Sequence, residues 1–190
     1  MSRFHPELNA FDIARMLVLG ARDCLGELAA SALAFVVSSP RVADWLIERA
    51  QRTPYIHIGE GPETYMYRYW LFNAYDSWTH KCKYAPFIKH SARIHEIMRP
   101  DSSRDHHDHP WNARTYILKG WYIEQREDGR TYLRQPGDTV AINFNEYHTI
   151  ISVAPGGCTT LFVTGKYRGI WGFLVDGVKV PHFDYDKGRV

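Results

Sequence analysis

Asp101-Ser102-Ser103-Arg104-Asp105-His106-His107-Asp108-His109-Pro110-Trp111 is the stretch on which the reading of this chain turns. His107 and His109 are two residues apart, and in an extended strand side chains at that spacing point to one face. Two imidazoles on one face meet a single ion, but two ligands are not a site, and a third has to come from elsewhere in the chain. The candidate is His148, in Asn143-Phe144-Asn145-Glu146-Tyr147-His148, where an apolar strand begins directly after a turn. The candidate metal ligands are therefore His107, His109 and His148. His106 has the opposite parity. It opens a rival set of His106, Asp108 and His148, the two-histidine-one-carboxylate pattern of 2-oxoglutarate-dependent oxygenases, with Lys166 or Arg168 to receive the co-substrate's carboxylate. Asp105 and Asp108 are expected as turn or solvent residues, Asp108 pointing away from any cavity. His95 is expected as a satisfied core histidine and Glu146 as an exposed loop residue.

Around this stretch the chain reads as strands. Short runs rich in Tyr, Trp, Ile, Val and Thr occupy 55–58, 65–72, 92–98, 113–125, 131–134, 139–142, 148–153, 160–166 and 170–175. Turn chemistry separates them: Glu127-Asp128-Gly129, Gln135-Pro136-Gly137-Asp138, Ala154-Pro155-Gly156-Gly157 and Asp176-Gly177. Many short strands at near-regular spacing predict a sandwich or barrel. Tyr116, Trp121, Tyr122 and Trp171 alternate within these runs and are expected mainly in the core.

The first fifty residues differ. Leu8, Phe11, Ala14, Val18, Ala21, Leu25, Leu28, Ala32 and Phe35 recur at gaps of three and four, one apolar face of a helix. That stripe predicts packing on the barrel or on another subunit. Ser39 as N-cap with Pro40 at the first helical position starts a second helix, lined by Val42, Trp45, Leu46 and Arg49 and stopped at Thr53-Pro54. The organisation expected is a helical segment over 1–52 and a β domain over 53–190.

Composition bounds the function. The 190 residues suffice for one self-sufficient core. Lys plus Arg number 23 and Asp plus Glu 21, so a net charge of +2 provides no electrostatic case for nucleic acid or an anionic membrane. The longest apolar stretch, residues 28–37, spans about half a bilayer as helix, so no membrane span is expected. Three scattered cysteines, Cys24, Cys82 and Cys158, form no CxxC and read as reduced thiols of a cytoplasmic protein. No apolar run near the N-terminus reads as a signal peptide.

The spacing of the histidines resembles the two motifs of the cupin superfamily. In the first motif His107-Asp108-His109 supplies His-x-His, Gly120 holds the closing glycine, Asp101 stands where the leading glycine belongs, and Ala113 stands where the motif has its glutamate. In the second, Gly137 opens, Asn143 and Asn145 stand for Pro and Gly, His148 falls at the ligand position, and Ser152 replaces an Asn. Arg68-Tyr69-Trp70-Leu71, Arg93-Ile94-His95, His107-Asp108-His109-Pro110-Trp111 and Leu118-Lys119-Gly120-Trp121-Tyr122 look like a group of cupin-fold proteins of bacteria and their phages that is defined by fold and not by an assigned reaction. The resemblance covers about residues 60–187 and implies a mainly β protein, a single cupin jelly-roll barrel preceded by the helical segment, paired as a homodimer.

Ala113 cannot coordinate, and Arg114 beside it would repel a cation. What remains is similar to the three-histidine cupin dioxygenases, which implies Fe(II) first, with Zn, Ni or Mn as other divalent occupants, and a small organic molecule as substrate. The alternative is a non-catalytic ligand-binding or structural cupin. No catalytic residue beyond the ligands is assigned.

Overall fold

The computed structural model describes residues 10–76 and 79–185, with side chains from residue 23 onward. Two helices, α1 (Ala10–Val37) and α2 (Pro40–Gln51), precede ten strands: β1 (Met66–Phe72), β2 (Ser91–Ile97), β3 (Trp111–Lys119), β4 (Tyr122–Arg126), β5 (Thr131–Arg134), β6 (Thr139–Ile142), β7 (His148–Val153), β8 (Cys158–Tyr167), β9 (Gly172–Val175) and β10 (Val178–Pro181). One sheet runs β1-β2-β8-β3-β6 and a second β5-β4-β7, all pairs antiparallel. The β9–β10 hairpin joins the second sheet through His107, which bridges both His148 and Phe173. Two antiparallel sheets closed on each other with these crossovers make a single jelly-roll barrel, the mainly β fold expected.

The predicted strand over 113–125 is two strands in different sheets. Its break is Gly120, at φ +67°, where a Cβ would lie 2.2 Å from the carbonyl oxygen of Gly157. Only glycine tolerates both the left-handed backbone and that approach, so the chain turns the barrel corner there. The predicted strand 55–58 is reduced to two isolated bridges, Pro54 with Tyr69 and Ile58 with Met66. β10 had no counterpart among the predicted strands.

The helices lie over the outer face of the first sheet. Ala34, Val37, Ala43, Leu46 and Ala50 share a core with Ile94, Tyr116, Leu118 and Leu161. The helical stripe is therefore corrected where side chains are described. Leu25, Leu28, Ala32 and Phe35 are exposed, and Ala30, Ala34 and Val37 are the buried face. Small residues let a helix approach a sheet closely, and apolar periodicity alone does not say which of two overlapping stripes that will be. The earlier part of the predicted stripe, Leu8 to Ala21, lies outside the described side chains. In α2 the same correction applies: Ala43, Leu46 and Ala50 are buried while Trp45 is exposed. Pro40 does open α2, but the Ser39 hydroxyl donates back to the Val36 carbonyl at 2.7 Å instead of capping. Among the described residues no single helix is long and apolar enough to cross a membrane. Only Asp23–Val37 with Pro40–Gln51, bent by 84°, passes on length and composition together.

Candidate metal centre

The segment between β2 and β3 is pinned by its backbone. Asp101 donates its N–H to the Ile150 carbonyl (2.9 Å) and accepts the Ile150 N–H on Oδ2 (2.7 Å). His107 and His148 exchange both backbone hydrogen bonds, at 2.9 and 3.0 Å. Extended backbone then makes the parity predicted from sequence real: His107 and His109 point into the barrel and His106 and Asp108 point away from it.

Inside, His107, His109 and His148 each offer a ring nitrogen, all within 4.8 Å of one another. His109 Nε2 and His148 Nε2 are 3.0 Å apart. Two nitrogens about 2.1 Å from a shared ion and at right angles to each other would stand about 3.0 Å apart, so this pair already has the separation of two neighbouring ligands. The His107 ring lies 5.3 Å from the His109 ring and 4.9 Å from the His148 ring. Among the described residues this is the group that could hold a metal ion.

Electrostatics keeps His107 and His109 neutral. Burial pushes His107 down to about 4, against the pull of Asp101, whose Oδ2 is 3.8 Å from His107 Nδ1. Burial also holds His109 well below the ordinary histidine range, reinforced by His148 and His107. A neutral imidazole is the form that binds metal.

Glu124 is the residue of the candidate site that sequence reasoning missed. It is fully buried on β4, and its Oε1 lies 2.8 Å from His148 Nδ1. Arg134 donates to Oε2 from Nε (3.0 Å) and Nη2 (2.9 Å), and Arg126 Nη2 lies 3.0 Å from Oε1. Burial alone would raise this carboxyl. The hydrogen bond and charge of His148, with Arg126 and Arg134, overcome that and hold it at about 2. An ionised carboxylate needs a donor, so the Nδ1 of His148 faces it as N–H and the Nε2 is turned toward His109. The available signal was alternation: Tyr122 and Glu124 are buried on one face of β4, and an acid on the inward face of a barrel strand calls for a partner.

The rival set is not assembled. The His106 Nδ1 is engaged by the Thr149 hydroxyl. Asp108 accepts the Gly172 N–H (2.7 Å) on one oxygen and the Lys179 ammonium on the other. Asp108 faces away from the cavity as expected but is wholly buried, not solvated. The reason is the β9–β10 hairpin, whose packing against residues 106–108 no local pattern announces. Lys166 and Arg168 are exposed and do not line the cavity. Arg114 points away from the site to an ion pair with Glu27 of α1, so it repels nothing there, and Ala113 sits in a small core with Ile142 and Phe162. Glu146 accepts the Asn143 N–H at 2.6 Å, a turn contact outside the cavity. Asp105 bonds the Tyr185 hydroxyl at 2.8 Å.

The histidines open into a cavity of about 590 Å³. Tyr122, Ile142, Phe162, Trp171 and Phe173 line it, while Tyr116 belongs to the core beneath the helices. His95 is buried as expected but is not satisfied: it lines the cavity and its Nε2 has no hydrogen-bond partner among the described residues. Cys24, Cys82 and Cys158 are free thiols, and burial raises Cys158 to about 12, which makes it a poor nucleophile.

No protein-family model and no curated protein matches this sequence. Solved structures do show a likeness. A cupin 2 conserved barrel domain protein from Rhodopseudomonas palustris is 18% identical, with 65% of this chain and 77% of that one covered and a TM-score of 0.47. The polyketide cyclase RemF from Streptomyces resistomycificus is 18% identical over 65% of this chain and 79% of that one, with a TM-score of 0.46. The Fe(II) form of HppE is 14% identical over 57% of this chain and 54% of its own length, with a TM-score of 0.44.

Proposed function

We propose that the barrel is a metal centre in which His107, His109 and His148 hold one divalent transition ion, Fe(II) before Zn, Ni or Mn, and that a small organic molecule reacts beside it in a dioxygenase-type oxidation. The observation that carries this is the orientation of His148, whose Nδ1 lies 2.8 Å from the buried Glu124 Oε1. Glu124 holds Nδ1 as the donor, so it is Nε2 that faces the Nε2 of His109 at 3.0 Å and is placed to meet an ion. The donor set suits the ion: three neutral imidazoles bind Fe(II), Zn, Ni or Mn and leave coordination positions open.

Such an ion supplies a place where an organic substrate and dioxygen are bound and activated together. The chain's residues do the rest. Glu124 orients His148, and Asp101 stands behind His107. Phe162, Trp171 and Phe173 flank the histidine rings at centroid distances of 5.6 to 6.3 Å and exclude water from that side.

The alternative is a barrel that binds a ligand without turnover. The direct contact between His109 and His148 favours it, because two neutral imidazoles 3.0 Å apart satisfy each other by a hydrogen bond without an ion. Elemental analysis of protein purified without an affinity tag or chelator, beside a His107→Ala/His109→Ala variant, decides between them. Stoichiometric metal lost in the variant is the expected result, and iron would direct the search to oxygen-consumption assays. No metal in the wild type after anaerobic reconstitution with Fe(II) would leave the binding barrel.

A further inference from the structure

Arg93 occupies the wall of the same cavity and, among the described residues, has no acid to pair with. It is 2% exposed. Its guanidinium carbon lies 5.0 to 5.9 Å from the ring centroids of Tyr55, Trp70, Tyr75, Trp111 and Phe162. Its one hydrogen bond among the described residues runs from Nη1 to the Tyr75 hydroxyl at 3.3 Å, and no carboxylate is within ion-pair distance. The rings temper the charge through their π faces, but they offer the Nε–H no lone pair.

The unpartnered polar groups converge. The buried side-chain nitrogens without a partner among the described residues are those of Arg93 (Nε), His95 (Nε2), Arg99 (Nε) and Trp111 (Nε1), and all four residues line this cavity. Arg93 and His95 alternate on β2, and Arg68 stands opposite His95 on β1. Arg99 is paired with Glu63 at 2.9 Å. The one acid in the lining, Asp101, is engaged by the Ile150 N–H. A buried donor left unpaired costs stability, and a lining with several unpaired donors and a buried cation calls for an occupant rich in acceptors.

We infer that the cavity takes an organic carboxylate, its carboxyl group held on the free Nε–Nη2 edge of Arg93 and its apolar body laid over Phe162 toward the histidines. That edge is a planar two-donor fork and matches a carboxylate. The Arg93 guanidinium and the His109 ring each lie 5.6 Å from the Phe162 ring, so one small molecule reaches both. The inference deepens the reading above, since it treats the cavity beside the three histidines as the substrate's chamber.

The test is a comparison of acids with their own amides. Benzoate, phenylacetate and hexanoate are titrated against benzamide, phenylacetamide and hexanamide, by tryptophan fluorescence, into the full chain in metal-free and metal-reconstituted forms. At least one acid should bind more tightly than its amide by about tenfold or more, the worth of a charge-assisted pair, and Arg93→Met should abolish that preference. No acid exceeding its amide, or an Arg93→Met protein that keeps the preference, overturns the inference. If Arg93→Met does not fold, Arg93→Lys decides: it keeps the charge but loses the fork, and undiminished binding of the acid would overturn the inference. Failure of the metal reading is separable. An acid preference that survives in His107→Ala/His109→Ala supports Arg93 as the anchor whether or not an ion binds, whereas metal binding without an acid preference overturns the carboxylate alone.

Discussion

Glu124→Gln removes one charge and almost no volume, and the structure shows why it should be severe. Oε1 faces His148 and Arg126, and Oε2 receives two hydrogen bonds from Arg134. Every neighbour is a donor. A Gln carries one acceptor and one donor head, so either orientation aims an NH₂ at donors. Turned to Arg134, it forfeits two charge-assisted bonds at about 1.5–3 kcal/mol each. Turned to His148, it forces the imidazole to accept at Nδ1 and puts the proton on Nε2, the nitrogen that faces His109. Either way Arg126 and Arg134, only 13% and 18% exposed in their side chains, lose their shared counter-charge. Removing one member of a buried ion cluster costs about 3–5 kcal/mol. Metal affinity should fall by about 10- to 100-fold, the usual effect of losing the partner that orients a ligating histidine.

Urea unfolding of the metal-free protein reads the first number, and competition with a chelator reads the second. The ¹⁵N shifts of His148 report the tautomer directly, with Nδ1 protonated in the wild type. A loss of stability below about 1 kcal/mol, together with unchanged metal affinity, would refute the claim that Glu124 is the pivot of the site.

Two further outcomes follow from the same geometry. Because burial already holds His107 near 4 and His109 well below its ordinary range, neither has a proton to lose between pH 8 and 5. Metal affinity over that window should therefore fall by no more than the slope of one proton, whereas three ordinary imidazoles would compete with three below about pH 6.5; a measured slope of two or more would discard the neutral pair. Asp108→Asn should cost about 3 kcal/mol by leaving Lys179 without its counter-charge, yet retain full metal content; loss of metal from a folded Asp108→Asn protein would restore a ligand role to that position.

What the sequence made legible follows the reach of its signals. Strand parity is a local rule, and it placed His107 and His109 together and His106 and Asp108 apart from them. Motif spacing reached further and brought in His148, thirty-nine residues beyond His109. It even marked the turn before His148, where Asn145 stands for a glycine and adopts φ +65°, a conformation Asn accepts more readily than most residues. Glu124 and Arg93 were illegible for the same reason as each other. Both lie in ordinary strand patterns, and their importance comes from which groups the closed barrel sets opposite them. Arg114 shows the converse: its charge looked adverse in sequence, but the sheet turned it outward to Glu27 on α1.

Charge balance joins these residues into one argument. The acid nearest the histidines, Glu124, is already shared between Arg126 and Arg134, so it has no negative charge left over for an ion beyond the rings. Three neutral imidazoles leave a bound dication with its full charge. Arg93 adds a second positive charge in the same low-dielectric chamber, with Arg68 beside His95 adding a third. Like charges in such a setting destabilise one another far more than they would in water. An apolar wall cannot relieve that repulsion, and among the described residues one acid, Asp101, lines the cavity against these several positive charges. An anionic guest relieves it, and does so more strongly once the ion is present. Metal and carboxylate should therefore bind with positive cooperativity, each tightening the other by the same factor, because coupling between two binding free energies is reciprocal.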